Sequence, residues 1–262
     1  MKNLRTYGKA PFNVVVIHGG PGAPGHMAPV ALELSPDWGV LEPLQTATSL
    51  EGQVQELKNV LESRGDLPVT LIGWSWGAML GFIFSASYST FVKKLILIGS
   101  AVYEEQYAAR IQETRLNRLS EEERREAHSL TKILKNPATK DKNALLAQLG
   151  KLFTKADAYN PLTLDKENLK VQYEIYQSVW SDATELRRSG ELLELGAQIQ
   201  CPVVAIHGDY DPHPSQGIQK PLSAVLKDFK FILLENCGHL PWIEREARDR
   251  FYRILKEELA SE

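Results

Sequence analysis

The chain has 262 residues, 43% hydrophobic and 24% charged, which sustains one large α/β domain, with or without an insertion, and excludes extensive disorder. A net charge of -3 excludes the basic stripe that a nucleic-acid surface needs. Two cysteines, Cys201 and Cys237, cannot make a disulfide framework and read as small buried hydrophobes; with no apolar leader and no long apolar run, a soluble cytoplasmic protein without membrane partners is expected.

Residues 12–17 (FNVVVI) form a β-branched apolar run, so a buried strand is predicted. It stops at His18-Gly19-Gly20-Pro21-Gly22, a run that belongs in a loop. Residues 38–41 suggest a shorter strand. Ser49 then caps a helical pattern that runs to Glu62. A second buried strand is expected at 69–72 (VTLI), followed at once by Gly73-Trp74-Ser75-Trp76-Gly77 and an apolar helix over 78–87. Residues 94–98 (KLILI) predict another strand.

After Tyr103 the character changes. Residues 104 to about 195 read as successive charged, amphipathic helices broken near Ser120, Pro137, Pro161 and Gly190. Strand and helix then alternate again: a strand over 202–207, a helix over 214–226 and a strand over 229–234. A final amphipathic helix places Ile243, Ala247, Phe251, Ile254 and Leu255 on one face. The pattern predicts a mostly parallel sheet flanked by helices, with residues 1–103 and 196–262 as core and 104–195 as a helical cap over the sheet's carboxyl edge, where such sheets bind ligands.

Gly73-x-Ser75-x-Gly77 between a strand and a helix has the form of a nucleophile elbow. The tight turn forces the serine into a strained conformation, and side chains two residues away on either side would collide. Acyl transfer also needs two preorganised N–H donors for the developing oxyanion. Gly20 in the glycine loop and Trp76 after the serine are the candidates. A serine hydroxyl needs a base, and the base an orienting carboxylate. Two carboxylates, Asp209 and Asp211, compete after the strand at 202–207. Asp211 is favoured because it enters the turn before Pro212, and Glu104 is a weaker alternative. Of six histidines, His239 follows the last strand, where the base is expected. His26 and His213 sit in nearby loops, His207 at a strand end and His128 on a charged helix. No metal-binding spacing occurs, so neither metal nor cofactor is expected.

These residues resemble the α/β-hydrolase superfamily over nearly the whole chain, and most closely its proline-iminopeptidase-like branch. The likeness lies in the His-Gly-Gly-Pro-Gly loop (18–22), the Gly-Trp-Ser-Trp-Gly elbow (73–77) and Gly-His-Leu-Pro-Trp (238–242). It implies Ser75, Asp211 and His239 as triad, with Gly20 and Trp76 as oxyanion donors. Aminopeptidases of that branch usually carry Asp-Gln-Arg-Gly where this chain has Glu42-Pro43-Leu44-Gln45, and acidic cap residues for the substrate amine, a role open to Glu174 and Asp182.

The expected reaction is acyl transfer from an ester, thioester or small amide, with a small molecule as the binding partner. A proline-iminopeptidase-like aminopeptidase is the second reading, and a non-catalytic ligand receptor on the same scaffold the third. Gly19, Trp74, His213 and Trp180 are further candidates for substrate contact. Tyr103, Tyr107, Phe153, Tyr173 and Tyr176 serve either the pocket or packing between cap and core.

Overall fold

A computed structural model of the chain describes residues 3–162 and 170–261; residues 163–169 of the predicted helical run lie outside the described residues. Seven strands, β1 (Leu4–Tyr7), β2 (Val14–Ile17), β3 (Val40–Pro43), β4 (Val69–Trp74), β5 (Val92–Ile98), β6 (Val203–Gly208) and β7 (Phe229–Leu234), form one sheet in the order β1-β3-β2-β4-β5-β6-β7. All neighbours are parallel except β1, which pairs antiparallel with β3.

The helices are α1 (Ala28–Leu34), α2 (Leu50–Arg64), α3 (Trp76–Ser87), α4 (Glu105–Ala108), α5 (Ile111–Asn117), α6 (Glu121–Lys135), α7 (Lys142–Asp157), α8 (Tyr173–Ser189), α9 (Glu191–Glu194), α10 (Gln216–Val225) and α11 (Arg248–Ala260). No helix among the described residues is long and apolar enough to cross a membrane.

Strand periodicity explains the layers. Successive side chains point to opposite faces, so Val15, Ile17, Leu71, Leu95, Leu97 and Ala205 pack with Leu57, Leu61, Phe82 and Phe84 of α2 and α3. Val14, Val16, Ile72, Ile96, Ile98 and Val204 pack on the other face with Val30 and Leu34 of α1 and Phe251 and Leu255 of α11. Helix α3 is buried at every residue from Trp76 to Ala86, as a helix apolar all round should be. Ser49 caps α2 by accepting the Gly52 N–H at 3.1 Å.

Among the described residues, helices α4 to α9 lie between β5 and β6. A separate apolar cluster, including Leu119, Leu130, Leu134, Leu146 and Leu149, holds α6 and α7 together. Helix α8 instead sends Ile175, Val179 and Ala183 into the cluster around α3, and Leu192 of α9 joins it. Ser120 starts α6 through a capping box with Glu123, and Gly190 ends α8 in the left-handed region.

Three features depart from the sequence expectation. Strand β1 was not predicted; it covers the fully buried Glu42, to which Tyr7 Oη donates at 2.7 Å. Helix α1 was also missed, although Pro29 stands in its first turn, a start signal. The last helix begins only at Arg248, so Ile243 and Ala247 precede it. Pro241 sets a 3-10 turn over Pro241–Ile243, and Glu244 turns inwards, away from a continuous helical stripe.

Gly150 lies inside α7 with no atom within 4 Å of where a Cβ would sit. Gly150→Ala should therefore raise stability by about 0.5–1 kcal/mol, read as a higher urea midpoint at unchanged slope.

Candidate active site

The elbow is built by close backbone contact. Ser75 joins β4 to α3 with φ 54° and ψ -114°, outside the regions that L residues favour. A Cβ on Gly73 would lie 2.2 Å from the Gly77 carbonyl oxygen, and one on Gly77 would lie 2.2 Å from the Ile17 carbonyl oxygen. Both glycines are thus demanded by space. The Ser75 N–H donates to the Ile98 carbonyl at 2.9 Å, fixing the turn to the end of β5. Trp76 is the first residue of α3, so its N–H has no carbonyl one turn back within the helix. Its indole is buried and donates to Gln53 Oε1 at 3.0 Å.

The glycine loop leaves β2 beside this turn. Gly19 lies against the Trp74 ring, where a Cβ would meet Cε3 at 2.4 Å, and Gly20 has φ 57°. His18 is fully buried and donates Nδ1–H to the Gly19 carbonyl at 2.9 Å; burial lowers its pKa from 6.5 to about 4.

Asp211 and His239 meet at the carboxyl ends of β6 and β7. His239 Nδ1 is 2.7 Å from Asp211 Oδ2. An ionised carboxylate only accepts, so the proton sits on Nδ1 and Nε2 keeps its lone pair. Burial pushes the Asp211 carboxyl up. The charges of His239, His207 and His213, with the hydrogen bond from His213, outweigh it and hold the group well below the usual carboxylate range. Asp209 has another task, accepting the Cys237 N–H at 3.1 Å.

The predicted contact residues fall in distinct places. Trp74 is 6% exposed, donates its indole N–H to the His239 carbonyl at 2.8 Å, and touches the rings of His26, His239 and Trp242. Trp180 is partly exposed and meets Trp76 edge-on at 5.5 Å. His213 bonds to Asp211 and stacks on His239. Tyr103 is wholly buried in the core, and Tyr173 donates to the Leu134 carbonyl. Asp211, His213 and His239 offer ligand atoms within 4.8 Å of one another, a spacing that a cation tolerates, but here both Nδ1 atoms donate to the carboxylate.

Sequence reasoning missed how the inserted helices grip this site. The Asp157 carbonyl, at the end of α7, accepts the His239 N–H at 2.9 Å. The Asp157 carboxylate is held by Arg115 of α5 through Nε and Nη2, the latter at 2.7 Å. Glu244 is fully buried and accepts the N–H groups of Gly238 at 2.9 Å and of Tyr159 and Asn160 at 2.8 Å each. On the other side, Gln172 donates its N–H to the Gly22 carbonyl at 2.7 Å. The one sequence signal was a carboxylate, Glu244, intruding on the supposed apolar face of the last helix.

Comparison with known proteins agrees with the fold. Residues 14–254 match the model of the Alpha/beta hydrolase family. No curated protein sequence matches. Among solved structures, a thermophilic esterase from Thermogutta terrifontis superposes with TM-score 0.67 at 16% identity, over 98% of this chain and 92% of that one. VinJ gives 0.66 at 19% identity, over 98% and 94%. A proline iminopeptidase from Mycobacterium smegmatis gives 0.62 at 16% identity, over 98% and 93%.

Two outcomes are expected. Glu244→Gln puts an amide donor against a backbone donor and should cost roughly 1–3 kcal/mol in urea unfolding; unchanged stability would refute the clamp. His18 and His213 are both held neutral, each lowered by burial from 6.5 to about 4. Below pH 6.5 the unfolded chain binds protons that the folded one refuses, so stability should decline as pH falls from about 6.5 to about 4. A flat urea midpoint across that window would contradict it.

Proposed function

The chain belongs to the alpha/beta hydrolase family, and we propose that it is a serine hydrolase acting on an ester, thioester or small amide. Ser75 attacks the carbonyl while His239 Nε2 takes its proton, and Asp211 holds the imidazole in that tautomer and stabilises the imidazolium. The Gly20 and Trp76 N–H groups receive the oxyanion. The leaving group departs with the proton from His239, and water then releases the acyl group by the same base. The helices of residues 104–195 act as the cap over a small-molecule substrate.

The observation that carries this reading is the pairing of a serine at φ 54°, at the head of a buried helix, with a histidine whose Nδ1 proton is committed to a buried carboxylate at 2.7 Å. Such strain persists only where the surroundings impose it, and it exposes the hydroxyl.

The aminopeptidase reading is the weaker one. Asp182, a candidate for the substrate amine, accepts the Leu50 N–H at 3.0 Å, and Glu174 is exposed. A cation that the inserted helices bring towards the His239 loop, Arg115, is committed to the Asp157 carboxylate.

Ser75→Ala should abolish hydrolysis of a p-nitrophenyl ester and labelling by a fluorophosphonate probe while leaving the unfolding midpoint within about 0.5 kcal/mol. Wild-type protein that folds but does not label would favour a ligand receptor. Asp211→Asn should lose on the order of 10,000-fold in kcat, far more than Asp209→Asn; the reverse ranking would move the acid. An amino-terminal proline amide should be a poorer substrate than the ester, and the opposite preference would restore the aminopeptidase.

A further inference from the structure

The carboxylate of Asp211 serves two imidazoles, where orienting one base requires only one. His213 Nδ1 lies 2.8 Å from Oδ1, while His239 Nδ1 lies 2.7 Å from Oδ2. The His213 backbone N–H also donates to Oδ1, at 2.9 Å. The rings stack with centroids 4.8 Å apart and 28° between their planes. His213 is itself anchored, since its carbonyl accepts the Nε2–H of His207, the penultimate residue of β6, at 2.8 Å. It is 8% exposed.

The chemistry follows from what each group can donate. A carboxylate offers only acceptors, so His213, like His239, carries its proton on Nδ1. Two N–H donors from one residue hold Oδ1. The carboxylate is then restrained from swinging about its Cβ–Cγ bond, and Oδ2 stays aimed at His239 Nδ1 at 2.7 Å, with His207 Nε2 farther off at 3.8 Å. The stacked ring closes one face of the His239 imidazole and so limits its tilt. A base tilted out of line loses proton-transfer geometry well before the fold suffers.

We propose that His213 is a positioning residue: its Nδ1–H locks the Asp211 carboxylate so that His239 stays aimed. The kinetic consequences rest on the serine-hydrolase reading; the hydrogen bonds do not. The competing role is direct contact between His213 Nε2 and substrate, and the two roles use different atoms. The charged or titratable groups facing this network are Asp211 and His207 on β6 and its loop, Glu244 beyond the His239 loop, and the Arg115–Asp157 pair of α5 and α7.

Asparagine places an N–H near the Nδ1 position and has nothing at Nε2, so the variants separate the atoms. His213→Ala should lower kcat roughly 10- to 100-fold with KM changed less than about twofold. Losing the Oδ1 donor concentrates charge on the carboxylate and favours the His239 imidazolium, so the acid limb of the kcat profile should move to higher pH. His213→Asn should restore most of kcat and return the limb. Full activity in His213→Ala, or a His213→Asn variant as poor as His213→Ala with a raised KM, overturns the proposal. One readout does not depend on turnover. Proton NMR of the wild type should show two low-field ring N–H resonances, both removed by Asp211→Asn; His213→Ala should remove one and shift the other. An unmoved His239 resonance overturns positioning even if no substrate is ever hydrolysed, whereas absent labelling of Ser75 beside a shifted resonance overturns only the hydrolase reading.

Discussion

The positive φ of Ser75 is the constraint around which the rest is arranged. A non-glycine residue in that conformation costs on the order of 1–3 kcal/mol, so its neighbours must make every alternative worse. They do so by proximity. Gly77 approaches the end of β2, Gly73 approaches Gly77, and the Ser75 N–H is fixed to the end of β5. Three strands thereby converge on one residue. The burial of α3 opposes relaxation, because unwinding its first turn would also expose Trp76 and break its bond to Gln53. Strain is local, and what maintains it is the whole central sheet.

Electrostatics supplies the second layer. A carboxylate buried as deeply as Asp211 is tolerable only when its lone pairs are occupied. Three histidines and a backbone N–H surround it. Glu244 meets the same demand differently, through three backbone N–H donors. Asp157 meets it with a two-pronged guanidinium. The three carboxylates surround the loop that carries His239, so its imidazole rests in a frame of directional bonds instead of loose apolar contacts.

What the residues disclosed in advance divides along a physical line. The buried strands and the elbow were legible because they are local: β-branched runs, a glycine at each side of a serine, a Ser cap before an apolar period. The carboxylate partner of His239 was legible as a choice between Asp209 and Asp211, since both follow one strand; only the fold gives Asp209 to the Cys237 N–H and Asp211 to His239. Strand β1 was hidden because its four residues, two half-buried and two exposed, do not alternate. Glu244 was hidden because its partners are backbone groups, one of them six residues away and two more than eighty. A backbone donor leaves no mark on the sequence, and no periodicity reveals it.

Under the proposed serine-hydrolase reading, this docking bears on how acyl specificity would arise. The inserted helices touch both halves of the machinery: Gln172 holds Gly22 in the glycine loop, and Asp157 holds the N–H of His239. Gly22 could not carry a side chain there, because its Cβ would lie 2.4 Å from the Gln172 carbonyl oxygen, and a Cβ on Gly238 would lie 2.1 Å from the Asp157 carbonyl oxygen. A segment that braces both loops cannot be exchanged freely for another. On that reading, changes in substrate choice would be easier at side chains that neither support nor touch those two contacts, such as the partly exposed Trp180, than at Arg115, whose loss would strand the Asp157 carboxylate and loosen the His239 loop at the same time.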